Sequence, residues 1–303
     1  MLNFQPSKTG QFMKLSSTTI GNFELFTINT GDIKLDGGAM FGVVPKTLWS
    51  RGIEPDEMNR ISMTMRCLLI KSSQTDKIYL IDNGAGTKFN EKLEKIYGLE
   101  YADKNLFNSL EYHGFKPDDI TDIIFTHLHF DHCGGTTYFD ESGALSFAFP
   151  NAKYYINKRH WHTATEPNAR EKASFLKENI DPLKTSDSIV LVDDNHEYEA
   201  GLSTIMANGH TIGQQLPKID GDGKTLVFMA DLLPTHVHLP LPWVMGYDMY
   251  PTQTLLEKEA FMMQAIAGNW FLFLEHDLEQ EVITVREENG KVVVDQFLSL
   301  SQV

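Results

Sequence analysis

Six consecutive residues, His127-Leu128-His129-Phe130-Asp131-His132, gather three of the chain's 11 histidines around one carboxylate. They follow directly on the apolar run Ile123-Ile124-Phe125. In extended backbone, residues two apart point the same way. His127, His129 and Asp131 can therefore face one pocket, and His132 joins them if the chain turns at Asp131. Gly134-Gly135 supply a tight turn just afterwards. Imidazole and carboxylate are the donors that zinc, iron or manganese takes when no thiolate is offered. Three further residues share the same context, a polar group ending an apolar strand. His210 follows Leu202–Ala207, Asp231 follows Leu226–Ala230, and His276 follows Phe271–Glu275. The seven donors exceed what one tetrahedral ion uses and suit two divalent ions. Zinc is the first choice, and iron, manganese and cobalt fit the same donors.

The elements that must position these residues are strands and helices in mixed order. The patterning predicts strands at 61–70, 77–82, 123–125, 153–157, 188–193, 202–207, 225–230, 271–275, 281–286 and 291–295. It predicts helices at 88–97, 103–113, 158–165, 168–179 and 252–267. In the last helix, Leu255, Leu256, Met262, Met263 and Ile266 fall in a stripe ~120° wide. With no linker or repeat, 1–303 reads as a single α/β domain with two sheets in the middle and helices outside. Residues 1–60 read as an N-terminal extension, its first 35 residues a lead-in and a strand with Phe23, Leu25, Phe26 and Ile28 apolar. Within it the glycine-rich loop 36–49 carries Met40, Phe41 and Trp49. These apolar residues are expected either to touch substrate beside the metals or to form a subunit contact in a homodimer.

Composition narrows the partners. Lys and Arg number 26 against 41 Asp and Glu, a net charge of −15, which disfavours a nucleic-acid substrate. Two cysteines, Cys67 and Cys133, make no disulfide scaffold, and no apolar run is long enough to span a membrane. The first fifteen residues contain no apolar leader core. These readings point to a cytoplasmic protein acting on a small molecule, with no nucleic-acid or membrane partner. His160 and His162, two apart on a predicted helix, read as surface residues, and Cys133 as a packed small side chain. His236 and His238 read as loop residues that could share a face near Asp231. Asp82, ending a strand, is expected to orient one of the imidazoles.

The pattern HxHxDH with a Gly-Gly turn, followed by a later His, a later Asp and a last His, resembles the metallo-β-lactamase-fold hydrolases over roughly residues 60–280. That resemblance implies a four-layer αβ/βα sandwich. It also implies a ligand division: His127, His129 and His210 on one metal, Asp131, His132 and His276 on the other, and Asp231 bridging. The segments 36–49 and 230–251 are similar to those of quorum-quenching N-acyl-homoserine lactonases and methyl-parathion-hydrolase-like enzymes. Many such lactonases carry a tyrosine three residues after the bridging aspartate; here Pro234 stands at that position. The expected activity is a binuclear metal-dependent attack on an ester or lactone carbonyl, with Asp131 moving a proton to the leaving group. The alternatives on the same site are a phosphotriesterase or phosphodiesterase and a low-turnover ligand-binding protein.

Overall fold

A computed structural model describes residues 16–101 and 105–303. In the first half, β1 (Ser17–Ile20), β2 (Phe23–Asp36), β3 (Arg60–Ser72), β4 (Ile78–Ile81) and β5 (Asp122–Ile124) lie in sequence order. A small separate hairpin of β6 (Thr137–Phe139) and β7 (Leu145–Phe147) intervenes before β8 (Lys153–Asn157) and β9 (Ile189–Val192) complete a seven-stranded sheet. Strands β1 to β4 pair antiparallel, and β4, β5, β8 and β9 pair parallel. The second sheet holds β10 (Glu197–Glu199), β11 (Leu202–Ala207), β12 (Gln214–Gly221), β13 (Lys224–Phe228), β14 (Phe271–Phe273), β15 (Val282–Glu288) and β16 (Lys291–Leu298), again in sequence order.

The helices are α1 (Gly37–Phe41), α2 (Lys46–Trp49), α3 (Glu91–Tyr97), α4 (Leu106–Tyr112), α5 (Phe130–Cys133), α6 (Lys158–Thr165), α7 (Lys177–Lys184) and α8 (Pro251–Gly268). The parallel pair β13–β14 needs a crossover, and α8 provides it. The sheets face one another across a core that joins Leu25, Leu68, Ile70 and Ile81 to Leu216, Ile219 and Ile283. A second core, including Leu69, Leu80, Leu110 and Leu183, lies between the first sheet and α4 and α7. The layers are thus helix, sheet, sheet, helix: the metallo-β-lactamase fold. Strand β3 is buried almost throughout because it is covered on both sides. Its Leu68 and Ile70 face the second sheet while Cys67 and Leu69 face the helices.

Several expectations need correction. Within the N-terminal extension the strand read around Phe23–Ile28 runs on to Asp36 as β2 and is preceded by β1, both integral to the first sheet, while 1–15 lie outside the described residues. The loop 36–49 folds into the short helices α1 and α2. Strand β12 was not expected because Gln214, Gln215 and Pro217 break an apolar pattern. Pro217, opposite Thr204, stands just beyond the β13 ladder, which begins at Lys218, so no donor is missing there. In α8 the buried face is Thr254, Lys258, Phe261, Met262 and Ala265, whereas Leu256 and Met263 are each 62% exposed. Apolar content misplaced that face because a lysine occupies its centre. The ammonium of Lys258 donates to the carbonyls of His238, Pro240 (3.1 Å) and Trp243 (3.0 Å), which offsets its burial. No helix among the described residues is long and apolar enough to cross a membrane.

Candidate metal centre

The seven donors arrive on loops that leave strand ends of both sheets. Strand β5 runs into Thr126 and His127, and the chain turns at His129, which caps the single helical turn α5 bearing Asp131 and His132. Strands β11, β13 and β14 end just before His210, Asp231 and His276. Gly134 is required by close approach: a Cβ there would meet the Ala85 carbonyl oxygen at 2.0 Å. Asp82 and Ala230, the residue before Asp231, both hold positive φ, 55° and 40°. A non-glycine residue in that region costs on the order of 1–3 kcal/mol, so the surrounding contacts must impose it.

The inner atoms of the donors converge. His127, His129, His210 and Asp231 place ligand atoms within one cluster, and Asp131, His132 and His276 within another, all buried. Asp231 stands between them: its Oδ2 lies 3.5, 3.4 and 3.0 Å from Nε2 of His127, His132 and His210, and its Oδ1 lies 3.3 Å from Nε2 of His276. His210 Nε2 faces His129 Nδ1 at 3.1 Å, and His132 Nε2 faces His276 Nε2 at 3.3 Å. Two nitrogens each ~2.0–2.1 Å from one tetrahedral ion stand ~3.3 Å apart, so these spacings suit a shared cation. Among the described residues, His127 Nε2 and Asp231 Oδ1 are buried without a hydrogen-bond partner. Electrostatics agrees. Burial works against charge on His210 and His276, yet Asp231 with Asp248 lifts the first to about 10, and Asp231 with Glu275 lifts the second to about 9. The carboxylates hold protons where divalent cations would replace them.

The outer atoms are tied down. His127 Nδ1 donates to the Thr126 hydroxyl (3.0 Å), which donates to Asp82 (2.6 Å). His132 Nδ1 lies 3.1 Å from carboxylate oxygens of both Asp82 and Glu275. His129 Nε2 donates to Glu171 (3.2 Å), which also accepts from the Thr211 hydroxyl. His210 Nδ1 donates to Asp248 (3.0 Å), and His276 Nδ1 to the Thr64 carbonyl (3.0 Å). Such partners fix the ring so that the other nitrogen's lone pair points inward. Arg66, buried between the sheets, donates to the carbonyls of Leu274 (2.5 Å), Asp277 (2.9 Å) and Gln280 (3.2 Å), anchoring the loop that carries His276. Sequence reasoning missed Glu171, Asp248, Glu275 and Arg66, which lie far along the chain from the ligands they serve.

The site opens into a cavity of about 250 Å3, lined on its apolar side by Leu35, Met40, Met63, Met245 and Met249 and on its polar side by Tyr97, Tyr247 and Arg170. Asp131, Asp231, His129, His210 and His276 reach its floor. Of the three residues expected to touch substrate, Met40 lines the cavity. Phe41 and Trp49 do not. They are fully buried and stacked 5.1 Å apart in a separate core cluster, because α1 and α2 turn their rings inward. His160 is not a surface residue: its Nε2 accepts from the Leu128 amide (2.7 Å) and its Nδ1 donates to the Ile212 carbonyl (2.9 Å). His162 remains exposed. His238 is buried on Phe41 at 4.3 Å, and His236 bonds Asp277 (2.5 Å). Cys133 is buried, and burial pushes its thiol up to about 12.

Residues 66–276 match the metallo-beta-lactamase superfamily. The chain is 27% identical over 173 residues to an N-acyl homoserine lactonase from Bacillus cereus, covering 55% of this chain and 60% of that one. It thus spans about three fifths of the length of the curated relatives it matches. A crystal structure of a probable metal-dependent hydrolase from Staphylococcus aureus superposes with a TM-score of 0.84 at 30% identity, over 93% of this chain and 98% of the other. The dizinc quorum-quenching lactonase AidC, in complex with a product, shares the fold at 23% identity and a TM-score of 0.75, over 94% and 98% of the two chains. The chain belongs to the metallo-beta-lactamase superfamily.

Proposed function

We propose that this protein hydrolyses an ester or lactone carbonyl in a small molecule with an apolar tail, N-acyl homoserine lactones being the class named for its relatives. The observation that carries the reading is the convergence of seven donors, five of which reach the floor of a methionine-walled cavity. His127, His129 and His210 would hold one divalent cation, Asp131, His132 and His276 the other, with Asp231 shared between them. A bound pair, zinc first among the candidates, would supply a hydroxide at neutral pH and polarise the carbonyl oxygen. Asp131 is the carboxylate of the second cluster that also reaches the cavity, 8% exposed, with Oδ2 3.9 Å from Nε2 of both His132 and His276. In this reading Asp131 would accept a proton and deliver it to the departing alkoxide. Leu35, Met40, Met63, Met245 and Met249 offer a flexible apolar wall, where each buried methylene of a tail contributes ~0.8 kcal/mol.

The test pairs elemental analysis with a panel of lactones, aryl esters and aryl phosphotriesters. The expected result is two divalent ions per chain and turnover of lactones or esters that rises with tail length. Asp131→Asn should lower kcat by ~100-fold while metal content stays intact. Preference for phosphotriesters, or a stoichiometry fixed at one ion, overturns the reading.

A further inference from the structure

The loop that brings His210 to the centre is held from α8, a helix that supplies no donor and no cavity lining. Strands β11 and β12 pair up to Ala207 and Gln214, and residues 208–213 between them form the loop. The ladder ends there, so the amides of Asn208 and Gly209 need acceptors from elsewhere. Glu257, in the second turn of α8, serves both. The Asn208 amide donates to Oε1 (2.8 Å) and Oε2 (2.9 Å), and the Gly209 amide to Oε2 (2.8 Å). The Gln253 side chain, four residues earlier on the helix, donates to Oε1 (3.0 Å) and steadies the carboxylate. Backbone amides bond a carboxylate more strongly than they bond a carbonyl.

The contact is close as well as polar. At Gly209 a Cβ would collide with the amide nitrogen and hydroxyl of Thr254, so only glycine lets the loop settle on the first turn of α8. The segment leading into the helix grips the same loop by its carbonyls. The Met249 amide donates to the His210 carbonyl (3.0 Å) and the Tyr250 amide to the Gly209 carbonyl (2.8 Å). In that segment Asp248 accepts from His210 Nδ1 (3.0 Å). Helix α8 and its lead-in therefore hold the backbone and the ring of His210 together, while Nε2 faces Asp231 (3.0 Å) and His129 (3.1 Å).

We propose that Glu257 is a positioning residue for His210. By gathering the Asn208 and Gly209 amides it fixes the turn that presents Nε2. It thereby sets how tightly the cluster of His127, His129, His210 and Asp231 holds a cation. Asp131, His132 and His276 arrive on other loops, so the dependence is confined to one of the two clusters. The inference rests on the metal-centre reading above and adds to it a carboxylate that acts only through backbone.

The experiment titrates metal-free protein with zinc against a chromophoric chelator, for the unmutated chain, Glu257→Ala, Glu257→Gln and Glu259→Ala. Glu259, exposed on the same helix, controls for charge and helix stability. Glu257→Ala should weaken one zinc ion by ~10-fold and leave the other within ~2-fold. Glu257→Gln, isosteric and with one acceptor oxygen left, should show the same selectivity at a smaller loss. Glu259→Ala should match the unmutated chain. Both affinities unmoved, both weakened together, or the same loss in Glu259→Ala overturns the proposal. A second measurement needs no metal. The amides of Met249 and Tyr250 bond the loop but not Glu257. Their hydrogen exchange should quicken at least ~3-fold relative to β12 amides in both Glu257 variants, and unchanged exchange also overturns the proposal. If the unmutated protein binds no zinc, the metal-centre reading fails instead, and the exchange measurement still decides whether Glu257 positions the loop.

Discussion

His160 ties together two of the loops that deliver metal donors, and its removal has a calculable cost. Its ring accepts the Leu128 amide, between His127 and His129, and donates to the Ile212 carbonyl, two residues after His210. His160→Phe keeps a planar ring but leaves both buried backbone groups unpaired, at ~1–3 kcal/mol each, or ~2–6 kcal/mol in all. For 303 residues at ~2.1 cal/mol/K per residue, the unfolding entropy is ~0.64 kcal/mol/K. The melting temperature should therefore fall by ~3–9 °C, read by calorimetry at pH 7. The pH dependence supplies a second readout. Burial lowers His160 to about 3, so it stays neutral in the fold while an unfolded chain takes up a proton near 6.5. The unfolded state then binds the extra proton between those values, and the unmutated protein loses stability, on the order of 5 kcal/mol, as pH falls through that window. The phenylalanine variant lacks this loss, so the gap between the two should narrow from pH 7 towards 4, measured on metal-free protein. A melting temperature within ~1 °C of the unmutated protein at pH 7, or a gap indifferent to pH, would refute the bridging role.

Three further outcomes are expected. Lys258→Met leaves the carbonyls of His238, Pro240 and Trp243 without their donor, and should cost ~2–5 kcal/mol and raise KM for long-tailed substrates, with metal content unchanged. Arg66→Lys cannot span the carbonyls of Leu274, Asp277 and Gln280 with one compact ammonium, so metal content after dialysis should drop from two ions towards one as the His276 loop loosens. Chelation should lower the melting temperature by ~4 °C for each ion that had been present at 100-fold its Kd, since each such site contributes ~2.7 kcal/mol, and zinc should restore it.

The seven candidate donors stood out in the sequence because His127, His210, Asp231 and His276 each follow an apolar strand and His129, Asp131 and His132 crowd directly behind the first, a local pattern that survives without tertiary information. The mixed α/β class followed from the alternation of strands and helices, whereas the four-layer sandwich was implied only by the resemblance that the HxHxDH motif carries. What was not legible depends on contacts between distant segments. His160, one polar residue on an otherwise ordinary short helix, shows its role only once β8 and α6 bring it beneath Leu128, 32 residues away. Glu171 lies in a stretch read as helix 168–179, which the structure breaks into a short turn at Lys172–Ser174 and α7, and it is this break that aims the carboxylate at His129. In α8 the lysine at the centre of the buried face reads as surface by composition, and the three carbonyls that satisfy it come from a loop with no pattern of its own. The stacked Phe41 and Trp49 carried the right apolar character but the wrong address, since two short helices rotate them away from the cavity.

Between Met245 and Met249, adjoining residues serve two different tasks. Met245, Tyr247 and Met249 meet the cavity, while Asp248 holds His210 in register. Substrate preference and metal geometry are thus written on interleaved positions of one short segment. Substitutions at 245, 247 and 249 can retune which molecules fit without touching the centre, so a lineage can diversify here one residue at a time. Insertion or deletion of a single residue would carry Asp248 away from the His210 ring that it holds. The segment therefore permits drift in side chains but not in length, and a library built for altered selectivity should vary its letters and keep its frame.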